Sequence, residues 1–398
     1  MSQFEVMKKR EEAVICRTYG RYPVAIKNGK GCRLWDFDGK EYVDLLAGIA
    51  VVALGHCNEE LAEVMEKQAK KFLHVSNLFY QEEQLDFAER ILATNHCGKA
   101  LLCNSGAEAN EAAIKLARRY CQKVKENGKY GIISFSGCFH GRTMATVALG
   151  PDAYKDGFSP MPGGFTTVPV GDMNALKAAV DDTTAAVILE MIQGESGVVP
   201  MEKAFVQELA AFCREKGILF IADEVQAGLC RSGKWWAFQH YGVEPDIVTS
   251  AKGVANGLPL GVMMATEEVA TGFAPGAHGT TFGGNAFACA VGAKVLEIME
   301  RDNMPAKVAE TGAWAMERFR EVAKKFPGSI EEVRGQGLLI GIVLTKPGKE
   351  IWQALLDKGF ICNLAHDTVL RLLPPLTVPK EDLDAFARAL EEILSAQK

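Results

Sequence analysis

The stretch 218–253, ILFIADEVQAGLCRSGKWWAFQHYGVEPDIVTSAKG, constrains the fold of this chain more than any other. Its first run, 218–222, is apolar and uncharged and ends in Asp223, which puts a carboxylate at the carboxyl end of a strand too apolar to face water. Its second run, 246–250 (DIVTS), ends just before Lys252, which stands between Ala251 and Gly253 with no nearby charge to keep it solvated. Ligands of open α/β sheets bind outside that edge. A lysine amine condenses with an aldehyde to a Schiff base, and an acid facing a pyridine nitrogen keeps such a ring protonated as an electron sink. Each residue alone also has an ordinary reading, a solvated lysine and a helix-capping aspartate. The sheet edge therefore has to be read whole.

The remainder of the chain supplies that sheet. From about residue 84 onward helical patterns alternate with short apolar strands at 101–103, 131–135, 185–189, 218–222 and 246–250. This predicts a largely parallel sheet covered by helices on both faces. Ahead of it, residues 22–54 read as short strands with hairpin turns at Asn28-Gly29 and Asp38-Gly39. An amphipathic helix follows over 59–72, with Leu61, Val64, Met65 and Ala69 on one face. Beyond about residue 295 helices surround shorter strands at 337–344 and 369–373, and a helix over 380–395 closes the pattern. With 398 residues the chain has room for two or three lobes. The expected division is an α/β body at 56–295 and a smaller α+β lobe built from 1–55 and 296–398.

A hydrophobic fraction of 48%, a charged fraction of 24% and a formal net charge of -6 give no basic bias, so neither nucleic acid nor an anionic membrane surface is an expected partner. The eleven cysteines include no CxxC pair and many lie in apolar patterns, which predicts reduced thiols in a reducing compartment. The seven histidines show no HxxxH or HExxH spacing, and no metal site is expected. MSQFEVMKKR is followed by no apolar h-region, and the most apolar stretch, 45–55, is too short to span a bilayer. The expected location is the cytoplasm.

Several further clusters fall at the same sheet edge. Asn104-Ser105-Gly106-Ala107-Glu108 joins a strand to a helix, and Ser105 with Glu108 has capping-box spacing. Capping accounts for Ser105 on its own; free N–H groups and the positive dipole end also suit an anion. After 131–135 comes Ser136-Gly137-Cys138-Phe139-His140-Gly141-Arg142-Thr143, where Phe139 either stacks on a flat ring or tucks into the core, and Arg142 can grip a carboxylate. Gln193-Gly194-Glu195 adds an acid, and the glycine-dense turn 278–285 adds Thr280 and Thr281. Arg371, a charge inside an apolar strand, needs a partner if buried, and Glu195 is the candidate. Gly335, Gly337 and Gly341 imitate a dinucleotide fingerprint, but the third glycine is one place late and the segment continues as a strand. A nicotinamide-dependent oxidoreductase thereby loses its main support.

NSGAEANEAAIKLAR, FHGRT, QGE, DEVQ, SAKG, HGTTFGGN and VRGQGLLIG, in this order over roughly 22–379, resemble the class III ω-aminotransferases of pyridoxal-phosphate fold type I. The resemblance implies pyridoxal 5'-phosphate as cofactor and a homodimer with shared active sites. It implies that Lys252 holds the cofactor covalently, Asp223 pairs with its ring nitrogen, Gln226 contacts the ring hydroxyl side and Phe139 stacks on the ring. Ser105, Gly106 and Ala107 would hold the phosphate, Glu224 and Val225 would complete the cofactor contacts, and Thr281 would reach the phosphate from the other subunit. Arg142, Glu195, Thr280 and Arg371 would bind substrate. The implied reaction moves the terminal amino group of N2-acetyl-L-ornithine to 2-oxoglutarate, a step of arginine biosynthesis. Succinylornithine, succinyldiaminopimelate, ornithine and 4-aminobutyrate are the alternative donors in this family. Relatives that take free ornithine resemble this chain at LLAGIAVVALGH but carry a tyrosine where Ile49 stands here. EMIQGES replaces the commoner EPIQGEG or EPIQGEA, and LCRSG replaces a segment commonly ending GRTG.

Overall fold

A computed structural model describes residues 2–396. Seven strands form the central sheet, in the order Lys99–Cys103, Gly261–Ala265, Ile247–Ser250, Leu219–Asp223, Thr184–Leu189, Gly131–Phe135 and Phe165–Val168. Gly261–Ala265 runs antiparallel to both of its neighbours, and the other strands share one direction. The inner strands are buried along nearly their whole length and are largely apolar because both faces are covered. On one face Ile132, Ala186 and Ile221 meet Ala112, Ala113 and Leu116 of the helix Gly106–Lys123. On the other, Ile133, Val187, Phe220 and Val248 meet Val206 and Leu209 of Lys203–Lys216.

The two ends of the chain meet beside this body. Ile26–Lys30, Arg33–Asp36 and Glu41–Asp44 form an antiparallel sheet that Phe360–Ile361 extends in parallel, pairing Phe360 with Val43 and Ile361 with Asp44. A second sheet takes Ile330–Gln336, Leu339–Leu344, Val369–Leu372 and Asn363–Ala365 in that order. Arg33 clasps Asp382 of the last helix, Lys380–Ala396, with bonds of 2.6 and 2.5 Å. A bidentate pair of this kind fixes orientation as well as distance.

Several local expectations change. Asn28-Gly29 is not a turn but lies within Ile26–Lys30 beside a bulge, and the chain reverses at Gly31 and Cys32. The reason is crowding: a Cβ on Gly29 would stand 2.8 Å from Leu34 Cδ2 and 3.1 Å from His56, so this glycine serves a close strand contact. On Glu59–Lys71 the buried residues are Leu61 and Gln68 rather than Ala69, and Gln68 reaches the carbonyl of Phe72 at 3.0 Å. The strands Phe165–Val168 and Gly261–Ala265 carried no signal strong enough to stand out in the sequence. The fingerprint-like glycines lie in and around a hairpin, Ile330–Gln336 paired antiparallel with Leu339–Leu344, with no helix opening there.

The helix Met304–Lys325 packs onto that hairpin through Gly312, where a Cβ would sit 2.4 Å from the carbonyl oxygen of Gly337. Alanine in a helix gains about 1 kcal/mol over glycine, whereas overpacking against fixed backbone costs about 1–3 kcal/mol. Gly312→Ala is therefore expected to lower Tm with the far-ultraviolet circular dichroism unchanged. An equal or higher Tm would show that helix and hairpin separate freely.

Candidate active site

Parallel pairing puts Asp223 opposite Thr249 near the carboxyl ends of two adjacent strands, and the chain reaches Lys252 just past Ser250. Both line a cavity of about 410 Å³ at that edge. Asp223 is 3% exposed, and both of its carboxylate oxygens accept hydrogen bonds. Oδ2 accepts from Asn110 Nδ2 at 2.8 Å and pairs with His140 Nδ1 at 2.7 Å, while Oδ1 accepts from the Val225 N–H at 3.0 Å. Asn110 is itself aligned, donating to the His140 carbonyl and accepting from the Thr249 hydroxyl. Burial opposes a charged imidazole, but the Cys138 sulfur and the Asp223 carboxylate reverse the sign and hold the His140 pKa well above its usual value.

Burial pulls the Lys252 ammonium the other way, below its usual pKa, against the attraction of Glu195, Asp223 and Glu190 and with help from Arg371. A lysine depressed in this manner is a nucleophile and base nearer neutral pH than a solvated one. Glu190, at the end of Thr184–Leu189, accepts from the Phe139 N–H at 2.9 Å, and burial pushes its pKa up to about 7.

The helix Gly106–Lys123 begins at the cavity wall. Ser105 caps it, accepting from the Glu108 N–H at 3.2 Å, while the Glu108 carboxylate accepts from Asn104, one residue beyond the usual capping-box partner. The N–H groups of Gly106 and Ala107 have no acceptor among the described residues, as first-turn groups do not. Close packing shapes this cradle: a Cβ on Gly106 would stand 2.6 Å from Val225 Cγ1. Gly141, at φ 138°, leaves the same kind of room for Ala107.

Phe139, Gln226 and Arg142 also line the cavity. Gln226 Oε1 is buried without a hydrogen-bond partner among the described residues. The guanidinium of Arg142 lies 3.8 Å over the Tyr154 ring and 5.5 Å from that of Phe139, and makes no ion pair among the described residues. Arg371, buried in Val369–Leu372, stands behind the lining and donates to Glu195 at 2.7 and 3.4 Å. Burial disfavours a charged Glu195, but Arg371 holds its carboxyl below the usual range.

Two of the residues expected at this cavity, Glu224 and Thr280, do not line it. The carboxylate of Glu224 points away from the cavity to the N–H groups of Ala237 and Phe238, both at 2.8 Å, and burial pushes it up to about 8. It follows Asp223 directly, and successive side chains at a strand end leave opposite faces. Thr280 and Thr281 are outside the cavity; Thr280 Oγ1 accepts from Asn104, and Thr281 is exposed. Conversely, Asn110, His140, Glu190 and Thr249 hydrogen-bond around the site although the sequence alone assigned them no role. Asn110 had a signal, since it is a polar residue inside the small-residue stripe of Ala109, Ala112 and Ala113.

The profile of the family Aminotransferase class-III matches residues 14–394. The chain belongs to that family. It is similar to the acetylornithine aminotransferase of Methanocaldococcus jannaschii, 45% identical over 96% of each chain. It is also similar to that of Caldanaerobacter subterraneus subsp. tengcongensis, 42% identical over 97% of this chain and 98% of the other. Among solved structures, the ornithine aminotransferase of Toxoplasma gondii ME49 superposes with a TM-score of 0.96 at 29% identity, covering 100% of this chain and 96% of that one. An acetylornithine aminotransferase from Elizabethkingia anophelis gives 0.88 at 30% identity, with full coverage of both. A second Toxoplasma gondii structure is described with partial occupancy of PLP at its active site. Shape alone thus leaves the amine donor of this class-III aminotransferase open.

Asp223→Asn is expected to lower the pKa of His140, because the carboxylate favouring the imidazolium is lost while burial, which opposes it, persists. An NMR titration of the imidazole reads this directly. An unchanged midpoint would mean that another group holds the proton.

Proposed function

We propose that the protein transfers the terminal amino group of N2-acetyl-L-ornithine to 2-oxoglutarate with pyridoxal 5'-phosphate, forming N-acetyl-L-glutamate 5-semialdehyde and L-glutamate. The residues present fit the cofactor. The unpartnered Gln226 Oε1, the unengaged N–H groups of Gly106 and Ala107 and the desolvated Lys252 amine are all at one cavity, where a ring hydroxyl, a phosphate and an aldehyde would satisfy them. When bound, the cofactor supplies an electron sink conjugated to the substrate carbon that loses its proton. Asp223, locked by Asn110, His140 and the Val225 N–H, would present a carboxylate to the ring nitrogen and favour a proton there. Phe139 supports the ring face, its main chain fixed by Glu190. Lys252 Nζ would take the proton from the substrate carbon and return it, burial favouring the neutral amine that accepts it. Glu224 drops out of this reading except as a brace for Ala237 and Phe238.

One observation carries the pairing of a monocarboxylate donor with a dicarboxylate acceptor: Arg142 makes no ion pair among the described residues, whereas Arg371 is masked by Glu195. Acetylornithine has a single carboxylate, suited to Arg142 alone. 2-Oxoglutarate has two, and its second requires Glu195 to release Arg371. Ile49 lies in the turn Ala47–Ala50, two residues before the cavity-lining Val51. That turn has left-handed dihedrals at Ala47, Gly48, Ile49 and Ala50, a conformation held partly by Asp44, which accepts from the N–H groups of Leu46 and Ala47. An isoleucine offers a free α-ammonium no acceptor, but tolerates an acetamide. The names of the relatives point the same way and suggest a place in arginine biosynthesis. With saturating 2-oxoglutarate, kcat/KM for acetylornithine should exceed that for ornithine by roughly 100-fold. Comparable values would overturn the donor while leaving the aminotransferase chemistry standing.

The same reading makes the protein a homodimer. Leu73, Leu78, Phe79, Tyr80 and Phe282 form an exposed apolar stretch beside Thr280 and Thr281, with His74 and Phe282 rings 5.4 Å apart. A second copy covering it would turn those threonines toward the other copy's phosphate cradle. The division into a body, 56–295, closed by segments 1–55 and 296–398, belongs to this reading. So does a reducing, cytoplasmic setting, which the eleven free cysteines support, all buried except Cys16 and Cys57. Light scattering should give twice the chain mass, and Phe79→Asp should shift it toward the single chain. A monomer with full activity would refute shared sites.

A further inference from the structure

The loop 193–198, which carries Glu195, is tied to both sides of the site through its main chain and its neighbours. On one side Gln193 Nε2 donates to the Ser136 carbonyl at 2.8 Å and Ser196 Oγ to the Gly137 carbonyl at 2.5 Å, joining the loop to the segment that bears Phe139 and Arg142. On the other side three of its carbonyls meet side chains of the C-terminal sheet region. Gly194 O accepts from Arg371 Nη1 at 2.9 Å, Glu195 O from His366 Nε2 at 2.8 Å, and Gly197 O from Arg334 Nε and Nη2 at 3.1 and 3.0 Å. The approach is close enough that a Cβ on Gly197, at φ 85°, would stand 2.9 Å from Val369 Cγ2.

Arg371 is held in the same manner by bonds that leave the Glu195 carboxylate out: Nε donates to Asn363 Oδ1 at 3.0 Å and Nη1 to Gly194 O. Two frameworks are therefore fixed and joined through Gly194 O, and what can exchange is the Glu195 carboxylate, which accepts from Arg371 and, at 3.4 Å, from Gln226 Nε2. Neither His366 nor Arg334 lines the cavity. We propose that His366 and Arg334 are positioning residues that pin the main chain of loop 193–198, so that Glu195 leaves Arg371 by side-chain rotation alone when a second carboxylate takes its place. A carboxylate on an unpinned loop follows the guanidinium and competes with the incoming acid; one on a pinned loop is confined to its rotamers. The inference rests on the roles of Glu195 and Arg371 given above.

The test is steady-state and single-turnover kinetics of the cofactor-loaded protein with His366→Ala and Arg334→Met, beside the conservative His366→Gln and Arg334→Lys. Losing one such bond should raise KM for 2-oxoglutarate about 3- to 10-fold, with KM for the monocarboxylate donor and kcat held within about twofold. His366→Gln, which keeps a donor, should recover most of the loss. In a Glu195→Ala background the effect of His366→Ala should vanish, because no carboxylate is left to position; a merely structural role would persist there. Equal increases for both substrates, or an effect that survives without Glu195, would overturn the inference. Arg371→Ala separates the two levels. If it leaves KM for 2-oxoglutarate unchanged, the reading of Arg371 and the inference built on it both fall. If it raises that KM while His366→Ala and Arg334→Met do not, only the pinned loop falls.

Discussion

A carboxylate buried at the end of a central strand has to be surrounded by donors, and Asp223 draws its donors from three different parts of the chain. Asn110 comes from the helix after the first strand of the sheet, His140 from the loop after Gly131–Phe135, and the Val225 N–H from the turn beyond Asp223 itself. Leaving such a group unpaired costs several kcal/mol, so the requirement fixes helix, loop and strand relative to one another. Thr249 extends the constraint to the neighbouring strand by holding Asn110. The strand that leads to Lys252 is thereby locked to the strand that ends in Asp223.

Around that anchor the acids divide by environment. Glu195 faces Arg371 and stays ionised; Glu224, facing only main-chain N–H groups, is pushed up to about 8; Glu190, between His140 and the Phe139 main chain, is pushed up to about 7. Lys252 is shifted down in the same interior. Groups of one chemical type driven apart in this way can take different parts in a proton transfer. The amine shares the cavity with Glu190, Glu195 and the unpartnered Gln226 oxygen, whereas Glu224 lies outside it.

The flanking lobe contributes position more than chemistry. It delivers Arg371 on a buried strand, braces the loop of Glu195 and supports the left-handed turn before Val51: Leu373 and Leu376 N–H groups bond the Leu45 and Ala53 carbonyls at 2.7 Å. Arg231, buried and bonded to the Leu338 and Pro374 carbonyls, ties the same lobe to the body, and burial pulls its pKa down to about 9. Glycines allow the approach. A Cβ on Gly194 would stand 1.8 Å from Gln226 Oε1, and one on Gly337 2.5 Å from the Arg231 carbonyl.

The parallel sheet, the strand ends carrying Asp223 and Lys252 and the helix start at Ser105 were legible in the sequence because each is written locally, in an uninterrupted apolar run or in capping spacing. Arg371 was legible as a charge in an apolar strand that must find a partner. Features governed by distant residues were not. Whether Asn28-Gly29 turns or extends depends on Leu34 and His56 pressing against it. Which way Glu224 points depends on the pleat at the end of its strand and on donors at Ala237 and Phe238. The bonds of Asn110 to Asp223, of Glu190 to Phe139 and of His366 to Glu195 join positions far apart in the chain. By itself the sequence determined which groups could do the chemistry and at which edge of which sheet they would emerge. The tertiary structure decided which of them are paired, which are left unsatisfied and which face away, because burial and hydrogen bonding are properties of contacts that local periodicity does not encode.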